Sequence, residues 1–316
     1  MKKAFFQLHL AIFLAGFTAI LGKLITLNEG LLVWYRMLFT AVILLVTMGL
    51  QKKIVKLSRK ETLKLVGVGF VIAFHWVAFY GSIKYATVSV GLVCLSASGF
   101  FTAILEPIML RKKMVFAELL LGILAMIGIY IIFDFHRQYS MGIIFGIFSA
   151  LGSSIFPILN KRLLAKHTPK TLTLYELSGG FVCLTLILPI YLYFFNANIS
   201  YPTVSDLGWL FILASVCTVY CFDLQLNALQ KISAFTSNLS YNLEPVYGII
   251  LSFIFFNEAE LLNKGFYIGL SIIMLAVILQ MLREWNQKRK RDSVARNETL
   301  EISDYGGATP IVEHHK

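Results

Sequence analysis

Residues 227–279 read NALQKISAFTSNLSYNLEPVYGIILSFIFFNEAELLNKGFYIGLSIIMLAVIL. Two long apolar runs, 233–256 and 265–283, flank a polar break that includes Asn257, Glu258, Glu260, Asn263 and Lys264. Each run can cross a bilayer core, which takes about 20 apolar residues. The first run nonetheless holds an acid and a proline, Glu244 and Pro245, near its middle. An ionisable side chain at the bilayer centre costs roughly 2.5–3.5 kcal/mol on insertion scales. Proline has no N–H, so the Tyr241 carbonyl loses its helical partner. Irregular backbone at that depth survives only where protein or a water-filled cavity surrounds it. At about 100° per residue, Ser233, Ser237, Ser240, Tyr241, Glu244 and Gly248 fall on one stripe, flanked by Asn238 and Asn242. Phe235, Leu239, Leu243, Val246 and Phe253 occupy the opposite face. One face is therefore polar to mid-membrane, as a cavity lining would be. The same residues also admit a structural kink, with a protonated Glu244 hydrogen-bonded to a neighbouring helix.

The rest of the chain follows the same pattern. It has 316 residues, of which 58% are hydrophobic and 14% charged, against about a quarter charged in soluble proteins. Apolar runs separated by charged or turn-rich breaks give ten helices, at 4–23, 31–50, 63–83, 86–110, 116–134, 140–159, 171–195, 206–228, 233–256 and 265–283. The first run lacks a small-residue cleavage site and reads as a retained span. The polar tail, 284–316, is expected to be a disordered basic cytoplasmic segment.

The net charge of +11 follows from topology and calls for no nucleic acid partner. Of the 28 Lys and Arg residues, only Lys23, Lys84, Arg137 and Lys264 fall on one side of the membrane, with Arg36 inside the second helix. The others cluster on the opposite side, which the positive-inside rule makes cytoplasmic. Both termini are then cytoplasmic and the span count is even. The four cysteines, Cys94, Cys183, Cys217 and Cys221, lie in apolar spans and read as small hydrophobes. Cys217 and Cys221 share a face, but no histidine or third cysteine completes a metal set, and no cofactor is called for.

Shifting the chain on itself by 147 residues aligns SIKYATVS (82–89) with LQKISAFT (229–236) and Gly122 with Gly269. Nearer the N-terminus a shift of about 140 brings VWYR (33–36) onto TLYE (173–176). The ten helices then divide into halves, 1–134 and 135–283. Five is odd, so the halves enter the membrane from opposite sides, an architecture that places a transporter's substrate near the midplane.

These segments resemble the EamA-type transporters of the drug/metabolite transporter superfamily. The late stretch carries the match: Ala-Leu, a basic residue, Ser-Ala, Pro245, Glu258 and Gly269. AIFLAGFTAILGK in helix 1, WYR in helix 2 and GSIKYATVSVGL before helix 4 add to it. The first half departs from the pattern, with Ser98 opposite Pro245 and Arg111 opposite Glu258. The resemblance spans residues 4 to 283 and implies an all-α integral membrane protein of ten transmembrane helices in two inverted five-helix repeats.

The tripeptide LEP occurs twice, at 105–107 and 243–245. The repeat register pairs Pro245 with Ser98 and Glu106 with Phe253, so the copies are not equivalent. Glu106 shares a stripe with Ser98 near the cytoplasmic end of helix 4, and snorkels there or lines a mouth. Candidate substrate-binding residues are Glu244, Tyr241, Asn238, Asn242, His75, Trp76, Ser98 and Arg36, with Glu244 and His75 for proton coupling. His75 lies mid-span beside Trp76, Phe79 and Tyr80, where it either takes up a proton or packs. Arg36 either attracts a carboxylate or phosphate or snorkels. Glu176 is its counterpart by the repeat. Gly142-x3-Gly146 and Gly265-x3-Gly269 read as close-packing contacts.

Other classes fit less well. SASG at 96–99 resembles the serine motif of rhomboid-type intramembrane proteases, yet that chemistry needs a histidine base within reach. Nothing resembles a P-loop or HExxH, and there is no sizeable soluble domain. The expected protein is not an enzyme but a secondary transporter in a bacterial inner membrane. It would carry a small metabolite or drug-like solute, outward, by alternating access and with proton coupling. A monomer suffices, and a homodimer is compatible. An intramembrane enzyme and a non-transporting receptor or scaffold are the competing classes.

Overall fold

The computed structural model describes residues 2–111, 113–135, 137–195, 199–229 and 243–305, and among these no strand occurs. The helices in chain order are α1 (Lys2–Leu24), α2 (Glu29–Leu50), α3 (Arg59–Tyr85), α4 (Val88–Leu95), α5 (Ser98–Leu110), α6 (Phe116–Phe135) and α7 (Ser140–Leu163). They continue with α8 (Pro169–Phe194), α9 (Val204–Ala214), a π-helical turn (Ser215–Tyr220), α10 (Cys221–Leu229), α11 (Glu244–Phe256) and α12 (Lys264–Tyr305). Helix starts coincide with side chains that accept the first orphan N–H groups. Asn28, Ser58, Thr87 and Thr168 each accept from the backbone N–H three residues on. Thr203 and Asp206 form a reciprocal capping box at the start of α9.

Nine helices among the described residues are long and apolar enough to cross a membrane, and Glu244–Phe256 is a shorter apolar one. The chain is a multi-pass membrane protein.

Three expectations change. The span at 86–110 is two helices, because Ser96 and Ala97 turn tightly, with their N–H groups on the Val93 and Cys94 carbonyls. Serine competes for backbone partners and interrupts helices readily. The span at 206–228 widens into π-helix at its middle. The tail expected to be disordered is helical through Tyr305. Between Glu284 and Tyr305 it carries no Gly or Pro and many Glu, Lys and Arg. Such a stretch extends an existing helix without a new nucleation step.

α5 and α11 match closely. Each has 13 residues, and each ends on a left-handed non-glycine residue, Arg111 or Asn257. They are shifted by 146 residues (98 to 244, 110 to 256), one less than the sequence register. Packing follows the same mating. α3 lies on α7 and α8, while the α9–α10 unit lies on α1 and α2. α4 and α5 lie on α7, as α11 does on α1. α2 with α8, α4 with α11 and α6 with α12 complete the set.

Glycines make these crossings close. A Cβ on Gly180 of α8 would stand 2.5 Å from the Gly69 carbonyl of α3, and one on Gly269 of α12 equally near the Gly128 carbonyl of α6. Gly142 and Gly146 abut Ala86, Ser82 and Cys94, so that glycine pair is a packing seam.

Candidate functional site

The most unusual group in the apolar interior is Arg36 of α2, only 3% exposed. Its guanidinium lies over the Trp76 ring, 3.6 Å from the centroid. Nη1 donates to the Tyr80 hydroxyl at 2.8 Å and Nε to Thr218 Oγ1 at 3.1 Å. Trp76 and Tyr80 are one turn apart on α3, on a face that stacking and hydrogen bonding can use together. Thr218 sits in the π-helical turn, and its hydroxyl donates to the Leu213 carbonyl five residues back at 2.7 Å. The widened turn thus presents one hydroxyl oxygen both to its own backbone and to the arginine. Single π turns of this kind recur at functional sites.

No carboxylate pairs with Arg36 among the described residues, and residues 230–242 contain no Asp or Glu. A buried cation held only by neutral hydroxyls and a ring face keeps further N–H donors free for an anionic guest. Cation–π contact with a desolvated tryptophan contributes about 2 kcal/mol, which offsets only part of the burial penalty.

Glu244 opens α11, with Pro245 in the first turn, where its missing N–H does no harm. The backbone there touches α1: a Cβ on Gly16 would lie 3.1 Å from the Glu244 carbonyl and from the Gly248 nitrogen. The Glu244 side chain is half-buried and makes neither hydrogen bond nor ion pair with the described residues.

The other expected residues fall as follows. Trp76 joins Arg36. His75 points the other way: Nδ1 meets the Ser149 carbonyl at 2.8 Å and the Ser149 hydroxyl at 3.0 Å. Its ring braces α3 on α7, where Gly152 leaves room for the His75 backbone. Ser98 is half-buried at the first position of α5, just after the break. Tyr241, Asn238 and Asn242 lie outside the described residues. Asp223 pairs with Lys170 at 3.1 Å.

Sequence patterns alone do not reveal a set of buried carboxylates that join the two halves at one end of the bundle. Glu258, 2% exposed, accepts from Val88 N at 2.9 Å, Ser89 N at 2.8 Å and the Ser89 hydroxyl at 2.7 Å. It thereby caps α4, a helix of the other half. Asp206 accepts from Thr26 N and its hydroxyl, both at 2.7 Å. Glu29 accepts from the Tyr191 hydroxyl. Each acid looks like a loop residue in sequence, and only its partner's position makes it a latch.

The sequence profile of the EamA-like transporter family matches residues 2–134 and 140–282. The chain belongs to that family. A Haemophilus influenzae protein described as an uncharacterized transporter is 23% identical over 279 residues, 81% of this chain and 86% of that protein. An Archaeoglobus fulgidus uncharacterized transporter is 28% identical over 156 residues, 49% of this chain and 53% of that one. A solved crystal structure superposes with a TM-score of 0.59 at 12% identity, covering 89% of this chain and 98% of that one. That likeness concerns the fold alone. This EamA-like protein is a membrane transporter.

Proposed function

We propose that this EamA-like transporter carries a small solute through a central site between its halves, recognising an anionic group at Arg36. The observation that carries the reading is the buried, stacked guanidinium with no carboxylate partner among the described residues. Trp76 and Tyr80 hold its plane, and Thr218 of the other half sets its Nε. In this reading ten helices cross the membrane as two inverted repeats with both termini cytoplasmic, supported by charge distribution and by the mated contacts. The buried Glu258, Asp206 and Glu29 contacts then close the outer end. The helix break at Ser96–Ala97 and the start of α11 at Glu244 lie deeper, where rocking of the halves opens the site to one side at a time. Glu244 exchanges a proton or meets a cationic group of the solute. It is better suited than His75, whose Nδ1 is committed to Ser149. We further place the protein in a bacterial inner membrane, working outward.

The test is flux in proteoliposomes against a panel of carboxylates, phosphates, amines and neutral analogues. Uptake or release of chemically unchanged anions, lost in Arg36→Gln, supports the reading. Selective flux of cations, or product formation, refutes it.

A further inference from the structure

Glu176 of α8 is the repeat counterpart of Arg36, and it is equally buried, at 3% exposure. Asn160 of α7 donates through Nδ2 to Glu176 Oε2 at 3.2 Å. Two other atoms of this pair, Glu176 Oε1 and Asn160 Oδ1, are buried without a hydrogen-bond partner among the described residues. Both are acceptors if the acid is ionised. A buried unsatisfied acceptor costs on the order of 1–3 kcal/mol, more when charged. A proton on Oε1 removes the charge and turns one of these acceptors into a donor, while Asn160 Nδ2 keeps its bond to Oε2.

Among the described side chains no cation does this work instead, and Lys161 of α7 lies outside them. The other charged and titratable groups named here on the neighbouring elements are engaged elsewhere or exposed. On α3, Glu61 lies 3.6 Å from His167, His75 is held by Ser149, and Arg59, Lys60 and Lys64 are exposed. On α7, Arg162 donates to the Met109 carbonyl. On α8 itself, Lys170 pairs with Asp223. On α2, Arg36 is stacked on Trp76. The α3 backbone meets α8 at Glu176, because Gly69 lies directly against the Glu176 carbonyl.

We infer that Glu176 is a proton-binding site, loaded in this conformation by pairing with Asn160 and unloaded when α7 and α8 separate. The proton is bound to Oε1 when the helices are together and passes to water when they part. No other bond changes. The coupling role rests on the transport reading, whereas the proton itself does not.

Infrared difference spectroscopy of the purified full-length chain at neutral pH tests the proton directly, with no solute required. Glu176→Gln should remove a protonated-carboxyl C=O band, and Asn160→Leu should shift it. Glu176→Gln should also melt near the wild-type temperature, because its amide oxygen can still accept from Asn160 Nδ2. Loss of an ionised-carboxylate band instead overturns the proposal. A Glu244→Gln spectrum separates the two acids. In proteoliposomes, an imposed pH gradient should accelerate wild-type flux and not that of Glu176→Gln. An intact gradient response in that variant overturns the coupling role, and absence of any wild-type flux refutes the transport reading while leaving the infrared result standing.

Discussion

The Arg36 guanidinium rests 3.6 Å from the centre of the Trp76 ring while its Nε reaches Thr218 across the bundle. One charged group from the first half is thereby set by an aromatic ring of its own half and by a π turn of the other. Thr218 and Trp76 belong to different halves, so under the proposed function solute affinity and conformation are joined at Arg36.

Arg36→Lys keeps the charge but not the planar fork or the stack, and lysine at such a site is no conservative change. We expect at least a tenfold fall in anion flux, equivalent to about 1.4 kcal/mol, with a monodisperse protein by size exclusion. Flux equal to wild type would show that only net charge matters there.

Glu258→Ala removes three hydrogen bonds to the start of α4 and leaves Val88 N without its partner. Hydrogen bonds to charged groups contribute about 1.5–3 kcal/mol each, so a drop in melting temperature of several degrees is expected. Ser89→Ala should be milder. The double variant should fall short of the sum, since the two share one contact.

Gly269→Leu places a side chain where Gly128 and Ile132 of α6 already stand. Overpacking of this kind costs typically 1–3 kcal/mol, and here it pushes two whole helices apart. Reduced expression and a lower melting temperature are expected, whereas Gly208→Leu, with nothing within 4 Å of the added carbon, should be silent.

Glu244→Gln removes the one titratable group at the start of α11. Flux should persist with its pH dependence flattened. Unchanged pH dependence at normal expression would assign Glu244 to solute contact or structure.

The apolar run lengths, the charge bias and the repeat register are local or periodic properties, so membrane class, helix positions and family resemblance were legible in the chain itself. Arg36 and Glu244 stand out in the sequence, because a charge in an apolar run is conspicuous against its neighbours. What tertiary structure decided is partnership. Thr218 looks like any span threonine until the helix widens at Ser215–Tyr220 and aims it at Arg36. His75 admits proton uptake or packing in sequence, and only the fold sets its Nδ1 against Ser149. Asn160 and Glu176 are 16 residues apart on different helices, and only their packing brings the amide onto the buried carboxyl. Periodicity reports which side of a helix a residue occupies. The free energy of a buried polar group depends on what stands opposite, and that is set by how the helices cross.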